Sequence, residues 1–234
     1  MAPHVAHAAC MDIRGGRNSF ILATVAIDAI GFGIIIPVLP RLVMDVGGVS
    51  LSDATWIGGW LALSYAAMQF LLGPTIGNLS DRFGRRPVLL ASLSGYAIDY
   101  LLMGFAPTLL WLFVGRLLAG VFGGSYGACM AALADVTPPE RRAKAFGMVG
   151  AAFGIGFVIG PAIGGLLGEW GPRVPFFATA ALAGLNIILG LLAFPETLPP
   201  ERRRPFSWRR ANPVGALAII RRVPGLALIV AAYF

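Results

Sequence analysis

Two long apolar runs of this sequence are joined by the polar stretch Gly77-Asn78-Leu79-Ser80-Asp81-Arg82-Phe83-Gly84-Arg85-Arg86. Glycine has no Cβ atom, so Gly77 and Gly84 permit a close approach of helices and a sharp change of chain direction. Short basic segments between apolar runs are typical of membrane proteins, in which they set the orientation of the flanking helices. The stretch therefore predicts a tight turn between two membrane-spanning helices.

The composition of the whole chain agrees with this interpretation. Of the 234 residues, 57% are hydrophobic and only 12% are charged, whereas a soluble domain carries about 25% charged residues. The net charge of +7 does not indicate a nucleic acid partner. Its basic residues lie in short runs between apolar stretches and not among base-stacking aromatic residues. The expected surroundings of this chain are a lipid bilayer.

Six apolar runs are long enough to cross a bilayer, which takes about 20 residues of helix. They cover residues 19–39, 56–76, 87–106, 108–134, 145–168 and 174–195. Backbone polar groups in lipid must bond within their own segment, and no run alternates with the period of two that a membrane strand requires. The sequence therefore predicts an all-α transmembrane domain of six helices over residues 18–195.

Basic residues are distributed unevenly between the two sides of this predicted domain. Arginine and lysine precede the first helix, follow the sixth, and lie between the second and third and between the fourth and fifth. On the other side only Arg41 and Arg173 are found, while Arg116 lies within a helix. The positive-inside rule then places the N-terminal tail, residues 1–17, in the cytoplasm. We expect a multi-pass protein of a bacterial-type inner membrane.

The character of the chain changes after the sixth helix. Residues 196–222 are rich in proline, arginine and glutamate and predict a cytoplasmic linker, with an interfacial helix over residues 213–222. The apolar run 223–234 is too short to span a membrane, so we expect it to begin a seventh helix. The chain is then a fragment or a natural truncation. Another chain or a second copy would then supply the rest of the protein.

An offset of 87 residues relates the two halves of the helical domain. One five-residue motif occurs twice with this offset, as Gly73-Pro74-Thr75-Ile76-Gly77 and as Gly160-Pro161-Ala162-Ile163-Gly164. Residues 19–106 and 108–195 are thus predicted to be two copies of a three-helix unit. Because three spans return the chain to the opposite side, the copies are inverted. Inverted repeats are common in transporters, which place the transport path between the repeats.

These motifs resemble the signatures of the major facilitator superfamily. Residues 77–86 are similar to the loop between its second and third helices. The set Gly156, Gly160, Pro161, Gly164 and Gly165 is similar to the fifth-helix signature of its antiporters. Asp28-Ala29-Ile30-Gly31-Phe32-Gly33 resembles the first helix of the drug/proton antiporters. Tyr65, Gln69 and Asp99-Tyr100 resemble tetracycline efflux proteins more narrowly.

The resemblance implies the N-terminal half of a major facilitator fold and proton-coupled efflux of a small-molecule drug. A tetracycline-like substrate is expected first, free or as a metal–drug chelate, with no resident cofactor or metal. The chain carries no phosphate-binding loop of the ATP-hydrolysing type and no catalytic set, so we do not expect an enzyme. A non-transporting half-protein and an importer of a metabolite remain alternatives.

Three charged residues within the predicted spans are the first candidates for function. A charge at the bilayer centre is costly, so we expect Asp28 and Asp99 to line a central cavity. Burial favours the neutral carboxylic acid, which allows proton exchange. Asp28 is predicted to couple protonation to transport, and Asp99 to bind a cationic or chelated substrate. Arg116 needs a compensating partner, and we expect it to tune the proton site in a network with Gln69 or Asp28.

The remaining candidates fall into two groups. Substrate binding is predicted for Gln69, Tyr65, Tyr100 and Tyr126, together with Asp99. Gating is predicted for Gly77, Asp81, Arg82, Gly84, Arg85, Arg86 and Asp135, in which an Arg85–Asp135 pair would act as a latch. The glycine face of the fifth helix, with Gly156, Gly160, Pro161 and Gly164, is predicted to act as a hinge between the repeats.

Overall fold

The computed structural model describes the backbone of residues 3–213 and the side chains from Ser19 onward. The helices are α1 (Pro3–Gly47), α2 (Leu51–Phe83), α3 (Arg85–Phe105), α4 (Leu109–Phe122), α5 (Ser125–Val136), α6 (Pro139–Gly168), α7 (Val174–Ala193) and α8 (Trp208–Ala211), with a 3-10 turn at Pro200–Arg202. No strand occurs within this range. The predicted seventh helix, and all but Pro213 of the predicted interfacial helix, lie outside the described residues.

Six membrane spans are built from these helices, with α4 and α5 together forming the fourth. Five described segments are long and apolar enough to cross a membrane: Ser19–Gly47, Arg85–Phe105, Leu109–Val136, Pro139–Gly168 and Val174–Ala193. The remaining span, α2, has 33 residues and carries several polar side chains within its apolar run. Its polar side chains include Ser64, Tyr65 and Gln69. Two of these, Tyr65 and Gln69, line an internal cavity.

The first two spans are longer than the apolar runs that predicted them. The first helix continues through Pro37 and Pro40 and ends at Gly47, before Gly48 takes a positive φ of 60°. The second begins after Ser50, whose hydroxyl accepts a hydrogen bond from the Asp53 backbone N–H at 3.2 Å. A serine in this position satisfies one of the unpaired amides at a helix start. Helix caps and not hydropathy therefore set these ends.

The fourth span is broken near its middle, whereas the sequence predicted one helix over residues 108–134. The break lies at Gly123-Gly124, between α4 and α5. Gln69 Nε2 donates to the Gly123 carbonyl oxygen at 3.1 Å, which gives a partner to an acceptor at the interruption. A Cβ atom on Gly124 would overlap the side chain of Ile76. Contacts with α2 therefore stabilise the interruption of the fourth span at Gly123-Gly124.

The turn between α2 and α3 is a single residue. The second helix continues through Gly77 to Phe83, and Gly84 alone reverses the chain with a φ of +108°. This φ favours glycine. Gly77 departs from the prediction: it is exposed, and a Cβ atom on it would meet nothing within 4 Å among the described residues. Close approach at this turn therefore depends on Gly84 and not on Gly77.

Helices from different repeats pack against each other. The most extensive contacts join α1 to α6, α2 to α4, and α3 to α7. In the repeat relation, α1, α2 and α3 correspond to α4–α5, α6 and α7. If the two repeats are interchanged, the contact between α1 and α6 becomes the contact between α4 and α2. The contact between α3 and α7 stays a contact between the same two helices. Such pairing is the arrangement expected of an inverted repeat with a two-fold axis.

The apolar core forms two clusters, one toward each end of the spans. Phe20, Leu93 and Leu133 belong to the cluster nearer the α2–α3 turn. Leu42 and Phe176 belong to the other. Along α1 the two clusters are separated by a polar level, which contains Asp28. The fold therefore places its polar interior between two apolar ends.

Candidate functional site

A cavity of about 580 Å³ lies between the six spans. Its lining residues are Val25, Asp28, Gly31, Phe32, Tyr65, Gln69, Tyr96, Tyr100, Arg116, Gly123, Ser125, Tyr126, Gly150, Phe153 and Ala183. Aromatic and aliphatic side chains form most of the surface, and a few polar groups converge on it. This combination is typical of a binding site for a small molecule. Of the predicted substrate residues, Tyr65, Gln69, Tyr100 and Tyr126 line this cavity.

Asp28 lies on the cavity wall, as predicted. Its Oδ1 accepts a hydrogen bond from Asn186 Nδ2 at 3.2 Å, and the Ser125 side chain is a second partner. Asn186 Oδ1 in turn accepts from the Thr24 hydroxyl at 3.1 Å. Among residues 19–213 no arginine or lysine forms an ion pair with Asp28 (the ion pairs found there involve other carboxylates). The Asp28 carboxylate is therefore stabilised by neutral hydrogen-bond donors.

Asp99 is placed differently from the prediction. It is 0% exposed and is not part of the cavity wall. Its Oδ2 instead pairs with Arg116 Nη2. The reason is close packing of α3 on α4: a Cβ atom on Gly115 would lie 2.8 Å from Asp99 Oδ1. Asp99 faces this helix contact, and only its partner Arg116 reaches the cavity.

The partner of Arg116 is also corrected. A network with Gln69 or Asp28 was expected, but Gln69 bonds to Gly123 and Asp28 to Asn186. Arg116 pairs with Asp99, and its guanidinium carbon lies 5.9 Å from the centre of the Tyr65 ring. A cation above an aromatic ring is attracted to the electron-rich face. Arg116 is thus held between a buried carboxylate and a cavity aromatic residue.

Tyrosines connect the second and third helices across the cavity. The Tyr65 and Tyr96 hydroxyl oxygens lie 3.2 Å apart and share a hydrogen bond. Tyr96 stacks on Tyr100, with ring centres 6.3 Å apart. Phe70 on α2 and Phe122 on α4 are not part of the lining. These tyrosines line the cavity, and Tyr65 and Tyr96 provide each other's hydroxyl partner there.

Two phenylalanines of α6 that the sequence analysis did not single out extend the aromatic side of the cavity: Phe153 lines it and Phe157 packs beside Phe153. Phe32 lies 6.3 Å from Phe157, and Phe157 lies 6.0 Å from Phe153. Tyr126 meets Phe153 edge-to-face at 6.1 Å. The spacing of Phe153 and Phe157 places both on one helix face. That signal was present, but an apolar run does not show whether such a face meets lipid or a cavity.

Several of the residues predicted to act in gating form a cluster at the α2–α3 turn. Arg85 Nη1 lies 2.7 Å from Asp81 Oδ1, and Arg85 Nε lies 3.0 Å from Asp135 Oδ2. The latter is the pair predicted from the sequence. Arg82 lies over the Phe83 ring at 5.1 Å, and Arg86 Nη2 donates to the Leu191 carbonyl at 2.7 Å. Arg85 therefore connects the turn to α5, which belongs to the second repeat.

Glu196 holds the start of α3, a role that sequence reasoning missed. Its carboxylate accepts hydrogen bonds from the backbone N–H groups of Arg85 at 2.9 Å and Arg86 at 3.4 Å. A carboxylate at a helix N-terminus is favourable because the free N–H groups carry partial positive charge. Gly84 has no side chain to act as a cap, and a Cβ atom there would overlap the Glu196 carboxylate. No local pattern connects residues so distant in the chain.

The glycine face of α6 contacts α1. A Cβ atom on Gly156 would lie 2.6 Å from the Ala26 carbonyl oxygen, and one on Gly160 would lie 2.7 Å from Gly33 Cα. A Cβ atom on Gly164 would overlap the Ile34 carbonyl group. Only hydrogen fits at these three positions, so the two backbones touch. The contact joins the two repeats, and its action as a hinge stays a prediction.

Asn186 and Thr24 are the other polar residues that sequence reasoning missed. Both are 0% exposed. A search for charges in the spans found Asp28, Asp99 and Arg116 but passed over neutral groups. Asn186 lies within an uncharged helix of mostly apolar residues. An amide in such a place was a usable signal, because a buried amide needs partners for both its donor and its acceptor.

The comparisons with known proteins agree with this fold. Residues 21–234 match the sequence model of the Major Facilitator Superfamily. The chain is 47% identical over 214 residues to the tetracycline resistance protein, class C, of Escherichia coli, covering 92% of this chain and 53% of that protein. It is 47% identical over 181 residues to the class H protein of Pasteurella multocida, covering 77% and 45%. The chain spans about half the length of the curated relatives it matches.

Two more distant similarities extend this result. Multidrug resistance protein 1 of Bacillus subtilis is 34% identical over 195 residues, covering 82% of this chain and 48% of that protein. The crystal structure of the human organic anion transporter MFSD10 (TETRAN) superposes with a TM-score of 0.75 at 27% identity, covering 89% of this chain and 55% of that one. The predicted fold, a six-helix half of a membrane transporter, is confirmed.

Proposed function

Because the chain belongs to the Major Facilitator Superfamily, we propose that it is the N-terminal half of a secondary active exporter that exchanges protons for a tetracycline-like drug. The observation that carries this proposal is the position of Asp28. Its carboxyl group lies on the wall of a cavity suited to a small molecule, without a cationic partner among the described residues. The tetracycline resistance proteins among its relatives support the choice of substrate.

Proton coupling is assigned to Asp28 because its charge is not otherwise compensated. A carboxylate within a membrane is costly unless a cation or a hydrogen-bonding environment stabilises it. Asp99 already has Arg116 as its partner. Binding a proton therefore neutralises an isolated charge at Asp28, whereas at Asp99 it would leave Arg116 unpaired. The energy would come from the proton gradient, and no resident cofactor or metal is needed.

Substrate binding is assigned to the two contrasting walls of the cavity. Its volume of about 580 Å³ falls in the range of drug-sized binding sites. Phe32, Phe153 and Tyr126 present aromatic surface, and Gln69 and Arg116 present polar groups. A flat molecule of several rings with one polar edge fits this division. A metal–drug chelate with positive charge would be attracted by Asp28, and Asp99 would act on substrate through Arg116.

Gating is assigned to the cluster around Arg85. By the positive-inside rule this end of the bundle faces the cytoplasm of a bacterial-type inner membrane, with the N-terminus on the same side. The Arg85–Asp135 contact joins the two repeats at that end. It would hold the cytoplasmic side closed and break when that side opens. The Gly156–Gly164 face of α6 would let α1 and α6 shift as closely packed units.

Transport requires a second half of similar size. Alternating access in this superfamily moves one half against the other around a site between them. The matched relatives are about twice as long as this chain. We propose that the counterpart is a C-terminal half of the same kind, on a continuing chain or on a second one.

Drug tolerance of a sensitive bacterium tests the exporter proposal. The chain is expressed alone and joined to the C-terminal half of the class C relative, in each case as wild type and as Asp28→Asn. Asp45→Asn is the matched control, because Asp45 lies at the end of the same helix and is exposed. We expect the joined wild type and the control to raise tetracycline tolerance, and Asp28→Asn to lose it.

Two results would count against the proposal. A joined protein that is well expressed but protects against no drug would favour a metabolite importer or a non-transporting half. A fully active Asp28→Asn variant would remove Asp28 from the proton path. Tolerance conferred by the bare chain would show that the added C-terminal half is not required.

A further inference from the structure

Asn186 is a fully buried amide whose two ends are both engaged. It is 0% exposed within α7, among mostly apolar residues. Its Oδ1 accepts from the Thr24 hydroxyl at 3.1 Å, and its Nδ2 donates to Asp28 Oδ1 at 3.2 Å. Thr24 is also 0% exposed and lies one helical turn before Asp28 on α1. The three side chains form a chain of hydrogen bonds that ends at the cavity wall.

An ionised Asp28 carboxylate can only accept hydrogen bonds, and this fixes the orientation of the Asn186 amide. The NH₂ group points to Asp28, and the carbonyl oxygen on the other side accepts from the Thr24 hydroxyl. Because an amide nitrogen can only donate, Asp28 Oδ1 acts as acceptor whether the carboxyl group is charged or neutral. With the amide in this orientation, we expect a proton bound by Asp28 to be carried on Oδ2.

We propose that Asn186, oriented by Thr24, is a positioning residue that holds the Asp28 carboxyl group in the geometry for proton exchange with the cavity. This inference rests on the proposed role of Asp28 as the proton carrier. A catalytic or coupling group functions well only when neighbouring hydrogen bonds fix its orientation. Here the fixing groups come from both repeats, α1 and α7, so a movement between the repeats would also change the hydrogen bond at Asp28.

The alternative is that Asn186 only joins α1 to α7. Polar side chains do hold membrane helices together by hydrogen bonds. That role would require Asn186 to bond with Thr24 but would not require an effect on the Asp28 carboxyl group. The two roles are separated by a measurement on the carboxyl group itself.

Infrared difference spectroscopy of the purified chain supplies this measurement. The carbonyl band of protonated Asp28 is identified by subtracting the spectrum of Asp28→Asn, in acidic buffer. We expect Asn186→Leu and Asn186→Ala to move the band to higher wavenumber, because a carbonyl group that loses a hydrogen-bond donor vibrates faster. Thr24→Val should move it in the same direction, and Thr24→Ser, which keeps the hydroxyl, should leave it in place. Thr179→Val is the matched control, because Thr179 is buried on α7, as Asn186 is, and its hydroxyl donates to the Pro175 carbonyl of that helix.

Transport supplies the second part of the experiment, in vesicles that contain the chain joined to the class C C-terminal half. A well-positioned proton-transfer group contributes about 10²–10⁴-fold to the rate of its step. Asn186→Leu keeps the Asp28 carboxyl group but frees its orientation, so we expect proton-driven tetracycline transport to fall by part of this, roughly tenfold or more. Energy-independent exchange of tetracycline should be unchanged in Asn186→Leu. In Thr179→Val, both proton-driven transport and exchange should be unchanged.

The outcomes separate this inference from the proposed function. A carbonyl band that does not move in either Asn186 variant would overturn the positioning role. Equal losses of proton-driven transport and exchange would also overturn it, in favour of a structural role. If the wild type transports nothing while the band moves as expected, the proposed function fails, and Asn186 remains the residue that orients Asp28.

Discussion

Arg116 on α4 forms an ion pair with Asp99 on α3, and the two residues belong to different repeats. The pair is almost fully buried, with 8% of the arginine side chain and none of the aspartate side chain exposed. Two opposite charges are therefore enclosed between the helices, and only the arginine borders the cavity. The ion pair therefore connects the two repeats, and through Arg116 it also forms part of the cavity wall.

The first prediction concerns the contribution of this ion pair to the free energy of unfolding. Arg116→Leu leaves the Asp99 charge without a partner, so we expect a loss of about 3–5 kcal/mol. The double variant Arg116→Leu with Asp99→Leu removes both charges and should recover most of that loss. The measurement is thermal unfolding of the protein in detergent. Additive losses in the double variant would show that the two charges do not depend on each other.

The second prediction separates function from folding at Asp28. Asp28→Asn removes a charge that has no cationic partner in the described part of the chain, so the thermal stability should change little. Proton release on addition of tetracycline, measured with a pH-sensitive dye in vesicles of the joined protein, should be lost. Asp45→Asn should retain it. A variant that unfolds at a much lower temperature would instead show that Asp28 is structural.

The third prediction compares two adjacent glycines of α6. Gly164→Ala would push a methyl group into the Ile34 backbone, so we expect a loss of about 1–3 kcal/mol from overpacking. The methyl group of Gly165→Ala would meet no described residue within 4 Å. This variant should be neutral or stabilising by up to about 1 kcal/mol, because alanine favours the helix. Thermal unfolding in detergent distinguishes them. Equal effects would contradict the packing of α1 on α6.

The fourth prediction concerns the single-residue turn. Gly84→Ala must adopt a φ of +108° and would overlap Glu196, so its expression as folded protein should fall sharply. Gly77→Ala has free space in the described structure and should be tolerated. Glu196→Ala should cost about 0.5–2 kcal/mol through loss of the helix cap. Fluorescence-detected size-exclusion chromatography measures all three. A tolerated Gly84→Ala would contradict the turn geometry.

The sequence predicted the class of the fold because that class depends on local composition. Apolar runs of sufficient length give membrane helices wherever they occur, since lipid offers no partner to the backbone. The glycine-rich turn, the 87-residue repeat and the mid-span charges were visible for the same reason. The Arg85–Asp135 pair was predictable because both residues were placed at one end of the bundle by the order of the spans.

The contacts inside the bundle were not predictable from local patterns. Every helix in lipid is apolar on most sides, so periodicity does not show which face meets a neighbour and which meets a cavity. Asp99 was therefore expected on the cavity wall, and the structure places it against α4. Phe153 and Phe157 were passed over for the same reason.

The sequence by itself determined that this protein spans a membrane six times, which turn joins its second and third helices, and which charges lie within the spans. Only the tertiary structure decided that Asp99 pairs with Arg116, that Asn186 holds Asp28, that Glu196 caps α3, and that the fourth span breaks at Gly123-Gly124. The free energy of transferring a segment from water into lipid depends on the residues of that segment alone, so it can be estimated directly from the sequence. Partners of buried polar groups depend on side chains far apart in sequence, which meet only when the helices pack.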